Sequence, residues 1–118
     1  MPNIQAFFAF GKGTTVKQNQ AEAQIQKALV TAFQNQQVIT LAVPVDIKIG
    51  APPNEDTLFG PHAYTITNID LANPQKPMFT IQNPWNNPAR GAYGASFTVD
   101  MDFIFKYFKQ FTIRDKNN

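Results

Sequence analysis

The chain contains no cysteine among its 118 residues, and it has only one histidine and one tryptophan. The absence of cysteine excludes disulfide bonds, thiolate metal sites and a thiol nucleophile within this chain. No apolar run approaches the roughly 20 residues of a membrane-spanning helix, and no charged-then-apolar leader opens the sequence. We therefore expect a soluble protein without a signal peptide or transmembrane segment, and the cellular compartment stays unknown.

Charged residues are also scarce, at 15% of the chain, and the formal net charge is only +2. The basic side chains are scattered along the sequence, which indicates neither a nucleic-acid groove nor a membrane-binding patch. An apolar fraction of 43% is sufficient for a buried core. The length predicts a single domain over residues 1–118.

Two helices are predicted. In residues 18–36 apolar side chains recur at three- and four-residue steps, and Asn19 is a candidate N-cap. A short helix is predicted near the C-terminus, capped by Asp100 or Asp102. Its expected inward side chains are Phe103, Ile104, Tyr107 and Phe108.

The remaining pattern is mainly β. Residues 4–10 indicate a short strand or a helix remnant ending at the Gly11 and Gly13 pair. Residues 38–43 predict a buried strand and residues 45–49 an edge strand, whereas residues 50–60 have the composition of a surface loop. Further strands are predicted at residues 96–99 and 111–113. The expected fold class is α+β, mainly antiparallel, with one long and one short helix.

Residues 63–82 predict a β-hairpin with a five-residue connection, in which Tyr64, Ile66 and Asn68 share one face. His62 begins its first strand and Asn83 follows its second strand. These positions lie at the same end of an antiparallel pair, so we expect their side chains to be in contact.

A histidine whose ring is held by an asparagine can act as the base for a cysteine nucleophile, because the amide oxygen fixes the ring's orientation and tautomer. The indole of Trp85 beside this pair would exclude water and strengthen the hydrogen bond. However, a lone histidine at a strand end is more often structural. The residues alone leave both interpretations open.

Two segments resemble the calpain-type branch of the papain-like cysteine peptidases. They are Gly60-Pro61-His62-Ala63-Tyr64-Thr65-Ile66-Thr67 and Phe79-Thr80-Ile81-Gln82-Asn83-Pro84-Trp85. The order of a helix, a buried strand, these segments and a Phe-rich terminal segment is also similar, so the likeness covers residues 21–113. It implies a barrel-like β subdomain with His62 as catalytic base, Asn83 as its orienting partner, and Trp85, Tyr64 and Gly60 at the substrate cleft.

The sequence departs from that family in three respects. The family's cysteine and oxyanion-hole glutamine belong to a preceding helical subdomain that this sequence lacks. Pro61 stands directly before the histidine where the family often has glycine, and Asn86 replaces a glycine that commonly follows Asn-Pro-Trp. Calcium is implied by the resemblance only, because no ligand set is visible near Glu55 or Asp56, and no other cofactor is identifiable.

We therefore expect the His/Asn-bearing half of a calpain-like cysteine endopeptidase. It would be inactive alone, and hydrolysis of a peptide or protein substrate would need a Cys-bearing partner subdomain or chain. The alternatives are a non-catalytic protein- or peptide-binding module derived from the same fold and an unrelated small structural β protein. Exposure of the cleft wall, including Trp85 and Tyr64, makes self-association a further expectation.

Overall fold

The computed structural model describes residues 6–9 and 15–116, with side chains from residue 21 onwards. The fold is α+β and mostly antiparallel, as predicted. Its elements in chain order are β1 (Ala6–Ala9), α1 (Thr15–Gln34), β2 (Val38–Val43), β3 (Ile47–Ile49), β4 (Asp56–Leu58), β5 (His62–Asp70), β6 (Met78–Gln82), a 3₁₀ turn (Pro88–Arg90), β7 (Ser96–Asp100), α2 (Met101–Tyr107) and β8 (Gln110–Arg114). The strand alternative for residues 4–10 is confirmed at β1, whereas the Gly11 and Gly13 break lies outside the described residues.

Six strands form one antiparallel sheet in the order β1-β8-β2-β5-β6-β7, and β3 and β4 form a separate two-stranded sheet. Strand β5 is interior, because it pairs with β2 on one side and with β6 on the other. The first residue of β5, His62, is held by its pairing with Val43 of β2, whereas the pairing with β6 begins at Thr65.

Helix α1 covers the sheet with its apolar stripe, of which Ile25, Leu29 and Ala32 are buried. The helix begins at Thr15, so the prediction of Asn19 as N-cap is wrong: Asn19 lies inside the helix. At the other end Gln36 has a positive φ of 59°, and the Gln37 N–H donates to the carbonyl of Ala32 at 3.0 Å. This Schellman-type ending satisfies the last carbonyls and directs the chain into β2.

A bulge in β5 changes which residues are buried. Ile66 is opposite Ile81 and Asn68 is opposite Thr80, so Thr67 is an extra residue on its strand. The inserted residue reverses the alternation, and Ile69 is buried while Asn68 is exposed. The predicted common face of Tyr64, Ile66 and Asn68 is therefore wrong beyond Ile66. The connection to β6 spans residues 71–77, which is longer than the five residues predicted.

The predicted loop at residues 50–60 contains a strand. Strand β4 pairs with β3, and its Leu58 is fully buried in the core. The turn between them contains Gly50, Pro52, Pro53 and Asn54, and this turn composition hides the short strand that follows it.

Helix α2 begins at the predicted cap, because Asp100 Oδ1 accepts a hydrogen bond from the Phe103 N–H at 2.9 Å. Ile104 and Phe108 are buried, and Phe103 and Tyr107 are partly buried against the same cluster. The buried side chains form one core between the helices and the sheet. They are Ile25, Leu29, Ala32, Ile39, Leu41, Val43, Leu58, Tyr64, Ile66, Ile69, Phe79, Ile81, Met101, Ile104, Phe108, Phe111 and Ile113.

Candidate functional site

His62 and Asn83 are in direct contact at one end of the sheet. His62 is the first residue of β5, where it is opposite Val43 of β2, and Asn83 immediately follows β6. The His62 Nε2 atom lies 2.7 Å from Asn83 Oδ1. The contact predicted from the hairpin is confirmed.

The orientation of the Asn83 amide is fixed by its other partners. This side chain is fully buried, its Nδ2 donates to the Tyr93 carbonyl at 2.9 Å, and its Oδ1 accepts from the Trp85 N–H at 2.9 Å. Exchange of the amide oxygen and nitrogen would place two donors together at Trp85 and two acceptors together at Tyr93. The oxygen therefore faces His62.

That orientation determines the tautomer of the neutral imidazole. An amide oxygen only accepts hydrogen bonds, so the His62 Nε2 atom carries the proton and Nδ1 has the free lone pair. In residues 21–116 no buried side-chain nitrogen or oxygen lacks a hydrogen-bond partner. No hydrogen bond to Nδ1 is present in the same part of the chain, so this atom is open to solvent and available as a base.

Trp85 forms the exposed side of the site. Its side chain is 45% exposed, and its ring centroid lies 4.6 Å from that of His62, with an interplanar angle of 44°. The Phe59 ring lies 5.0 Å from the indole, and the guanidinium carbon of Arg90 lies 4.5 Å from the indole centroid. We call Phe59, His62, Trp85 and Arg90 the indole cluster. Trp85 covers one side of the imidazole while part of its surface meets solvent.

Tyr64, predicted to line the cleft, is instead a core residue. The side chain is completely buried, with its ring 4.9 Å from that of His62 in an edge-on arrangement. Its hydroxyl donates to the Phe59 carbonyl and accepts from the Phe59 N–H, both at 2.9 Å. Burial raises the pKa of Tyr64 to about 12, and the negative charge of Asp46 adds to the rise. A direct substrate contact through Tyr64 is therefore excluded in this conformation.

Loss of the Tyr64 hydroxyl should destabilise the segment that leads to His62. We expect Tyr64→Phe to lower the free energy of unfolding by about 1 kcal/mol, because both backbone groups of Phe59 lose their partner. Urea denaturation measures this change. Tyr107→Phe is the matched control, since the Tyr107 hydroxyl makes no hydrogen bond in the described part of the chain, and it should change stability little. Equal effects of the two substitutions would contradict the role assigned to the Tyr64 hydroxyl.

Gly60 is required by a close approach of two backbone segments. A Cβ atom at this position would lie 2.5 Å from the Val45 carbonyl oxygen. The Gly60 N–H donates to Asp46 Oδ1 at 2.9 Å, which fixes the turn before His62. A substrate contact at Gly60 stays a prediction, and the structure gives this glycine a steric role.

Asn86 has a backbone conformation that suits asparagine or glycine. Its φ is 48°, in the left-handed region that both residues enter readily, and its N–H donates to the Asn83 carbonyl at 3.0 Å. Asparagine at this position, where the resembled peptidases commonly have glycine, is thus compatible with the local backbone.

Several residues of the site were not identified from the sequence. The Tyr93 carbonyl, the Phe59 ring and the Arg90 guanidinium reach the site through loop geometry. Only Arg90 left a sequence signal, as a lone cation in the turn that follows the tryptophan.

The structure also bears on metals and membranes. Among the described residues no group of three or more His, Asp or Glu side chains is arranged to hold a metal ion. Asp56 Oδ1 accepts from the Ala92 N–H at 3.4 Å, and Glu55 is exposed in its loop. No helix within the described ranges is long and apolar enough to cross a membrane.

Neither a family model nor a curated protein matches the chain.

Proposed function

We propose that this chain supplies the general base and its orienting amide to a calpain-like cysteine endopeptidase, whose thiol comes from a Cys-bearing partner chain or subdomain. The observation that carries the proposal is the 2.7 Å hydrogen bond from His62 Nε2 to Asn83 Oδ1. This bond has a fixed polarity, and it leaves Nδ1 free on the solvent side.

The proton transfers follow from that polarity. A partner thiol placed next to His62 would give its proton to Nδ1, which produces a thiolate and an imidazolium. The imidazolium keeps its Nε2–H on Asn83 Oδ1, so the ring does not rotate when its charge changes. The thiolate attacks the peptide carbonyl, and the Nδ1 proton passes to the leaving amine as the C–N bond breaks. Water then hydrolyses the acyl thioester by the same proton route and restores the thiol.

The surroundings of the pair support this role. Asn83 is fully buried, so its hydrogen bond to the ring lies in a poorly solvated environment where such a bond is strong. Trp85 packs against the imidazole with part of its surface exposed, as expected of a side chain that would contact a substrate or partner. Tyr64 and Asp46 stabilise the backbone on the other side of the histidine.

A second candidate function is a non-catalytic peptide- or protein-binding module. It is favoured by the exposed indole of Trp85 with the Arg90 cation stacked on it, an arrangement common at binding surfaces. The two functions differ in whether the free Nδ1 of His62 is used.

The proposal is tested by co-expression with the product of a neighbouring reading frame that encodes a Gln and a Cys at a predicted helix start. We expect hydrolysis of labelled casein by the pair and none by the chain alone. His62→Ala should reduce the rate at least about a thousandfold, because no other residue in the described chain replaces the base. Replacement of the partner cysteine by serine should have a comparable effect.

Asn68→Ala, on the exposed face of β5, is the control for this experiment and should retain full activity. Peptidase activity that survives His62→Ala would refute the half-enzyme proposal. A stable complex in which His62→Ala changes neither binding nor any hydrolysis would favour the binding module.

A further inference from the structure

The cation in the indole cluster, Arg90, forms no ion pair with an acidic side chain of the described residues. The Arg90 guanidinium carbon lies 4.5 Å from the Trp85 ring centroid, and Arg90 is exposed. Within residues 21–116 no carboxylate forms an ion pair with it. Asp56 lies beside the same loop, where its Oδ1 accepts from the Ala92 N–H. The guanidinium of Arg90 is thus exposed to solvent and makes no ion pair within these residues.

Stacking on the indole restricts the guanidinium before any ligand binds. A guanidinium over an aromatic face uses its π surface for the contact, while its N–H donors remain around the edge. Those donors match the two oxygens of a carboxylate in a bidentate arrangement. The indole also packs at 4.6 Å from His62, so Arg90 and the imidazole share one aromatic neighbour.

We propose that Arg90 is a specificity-determining residue that binds an acidic side chain, Glu or Asp, of a peptide lying across the indole cluster. The proposal rests on the proposed function in one respect, that a peptide occupies the surface beside His62, and it adds the chemical class of that peptide. The exposed guanidinium of Arg90, which forms no ion pair in the described residues, favours a carboxylate as its ligand. The exposed part of Trp85 supplies an apolar surface for the methylene groups of that acidic side chain.

Peptide binding to the chain alone tests this inference, with Trp85 as the reporter because it is the only tryptophan. The probes are two capped pentapeptides, Ala-Ala-Glu-Ala-Ala and its Gln counterpart. We expect the Glu peptide to perturb the fluorescence saturably and to bind about fivefold more tightly than the Gln peptide. High salt should weaken binding of the Glu peptide only.

Arg90→Gln should remove the preference, and Arg90→Lys should retain only part of it, because an ammonium lacks the planar donor pair. Lys116→Gln is the matched control, since it removes the same charge at an exposed position beyond the other end of β8 and should leave the preference unchanged. Equal binding of the two peptides, an equal loss in Lys116→Gln, or no response up to about 10 mM peptide would overturn the proposal.

The assay separates this inference from the proposed function. It measures binding without a nucleophile, so failure of the Glu preference would leave the roles of His62 and Asn83 untouched. Absence of peptidase activity with any Cys-bearing partner would leave a measured Glu preference standing as a property of the surface.

Discussion

Replacement of Asn83 by alanine should lower the free energy of unfolding by about 3 kcal/mol and free the His62 ring. The substitution leaves three polar groups without their partner: the Trp85 N–H, the Tyr93 carbonyl and the His62 Nε2–H. Loss of a buried hydrogen-bonding partner costs about 1–3 kcal/mol for each group, and water reaches some of these groups here, which places the total at the lower end of the summed range of about 3–9 kcal/mol. Urea denaturation measures this change in the free energy of unfolding.

The freed ring provides a second measurement. Because the chain has one histidine, its ¹⁵N NMR signals are unambiguous. The wild-type protein at high pH should show the Nε2–H tautomer, and Asn83→Ala should show a mixture of both tautomers.

Asn68→Ala is the matched control, as an exposed asparagine on β5, and should change stability by less than about 0.5 kcal/mol. A wild-type ring protonated on Nδ1 would contradict the polarity on which the proposed function depends.

The second large expected effect is on the pH dependence of stability. It comes from Glu22, which lies where helices α1 and α2 meet. Glu22 faces Asp102 and Asp100 across a cleft of about 320 Å³, which Lys76 also lines. Partial burial, a hydrogen bond shared with Asp102 and repulsion from both aspartates raise the pKa of Glu22 from 4.5 to about 7. Burial and the two neighbouring aspartates thus keep this carboxyl group partly protonated up to about neutral pH.

The consequence is a contribution of Glu22 to stability that is lost as the pH rises. Between about pH 4.5 and 7 the folded state binds more protons at Glu22 than the unfolded state, so the free energy of unfolding falls across this window. We expect Glu22→Gln, which is neutral at every pH, to be about 1.5 kcal/mol more stable than wild type above pH 7, after allowance for solvent screening. The two proteins should have similar stability below pH 4.5.

Urea denaturation at several pH values measures this difference. Glu55→Gln removes the same charge in an exposed loop, and its stability should follow the wild-type dependence on pH. A difference in the free energy of unfolding between Glu22→Gln and wild type that stays constant from about pH 4.5 to 7 would contradict the raised pKa of Glu22.

Much of the fold follows from local sequence patterns. The apolar stripe of α1, the β-branched run of β2 and the hairpin of β5 and β6 lie close to their predicted positions. The contact between His62 and Asn83 was predictable for the same reason, because a hairpin brings the start of one strand to the end of the next. These features depend on residues that are near one another in the chain.

The predictions from the sequence fail where a contact between residues distant in the chain, or an irregularity within a strand, determines the structure. Two-residue alternation does not reveal the bulge at Thr67, so the predicted face shared by Tyr64, Ile66 and Asn68 fails at Asn68. Tyr64 is buried because the Phe59 backbone satisfies its hydroxyl, a contact that depends on the turn before β5. The Tyr93 carbonyl that fixes the Asn83 amide comes from a loop whose path no periodic pattern describes.

The position of β8 has a consequence for how the chain folds during synthesis. This strand lies inside the sheet, with β1 on one side and β2 on the other, and its pairs include Ala6 with Ile113. Contacts between residues so distant in the chain close slowly. The β5–β6 hairpin can form while the ribosome is still translating, but β1 and β2 lack their shared neighbour until residues 110–114 emerge. During that interval both strands expose unpaired edges to other chains, which is when we expect chaperone binding to matter most.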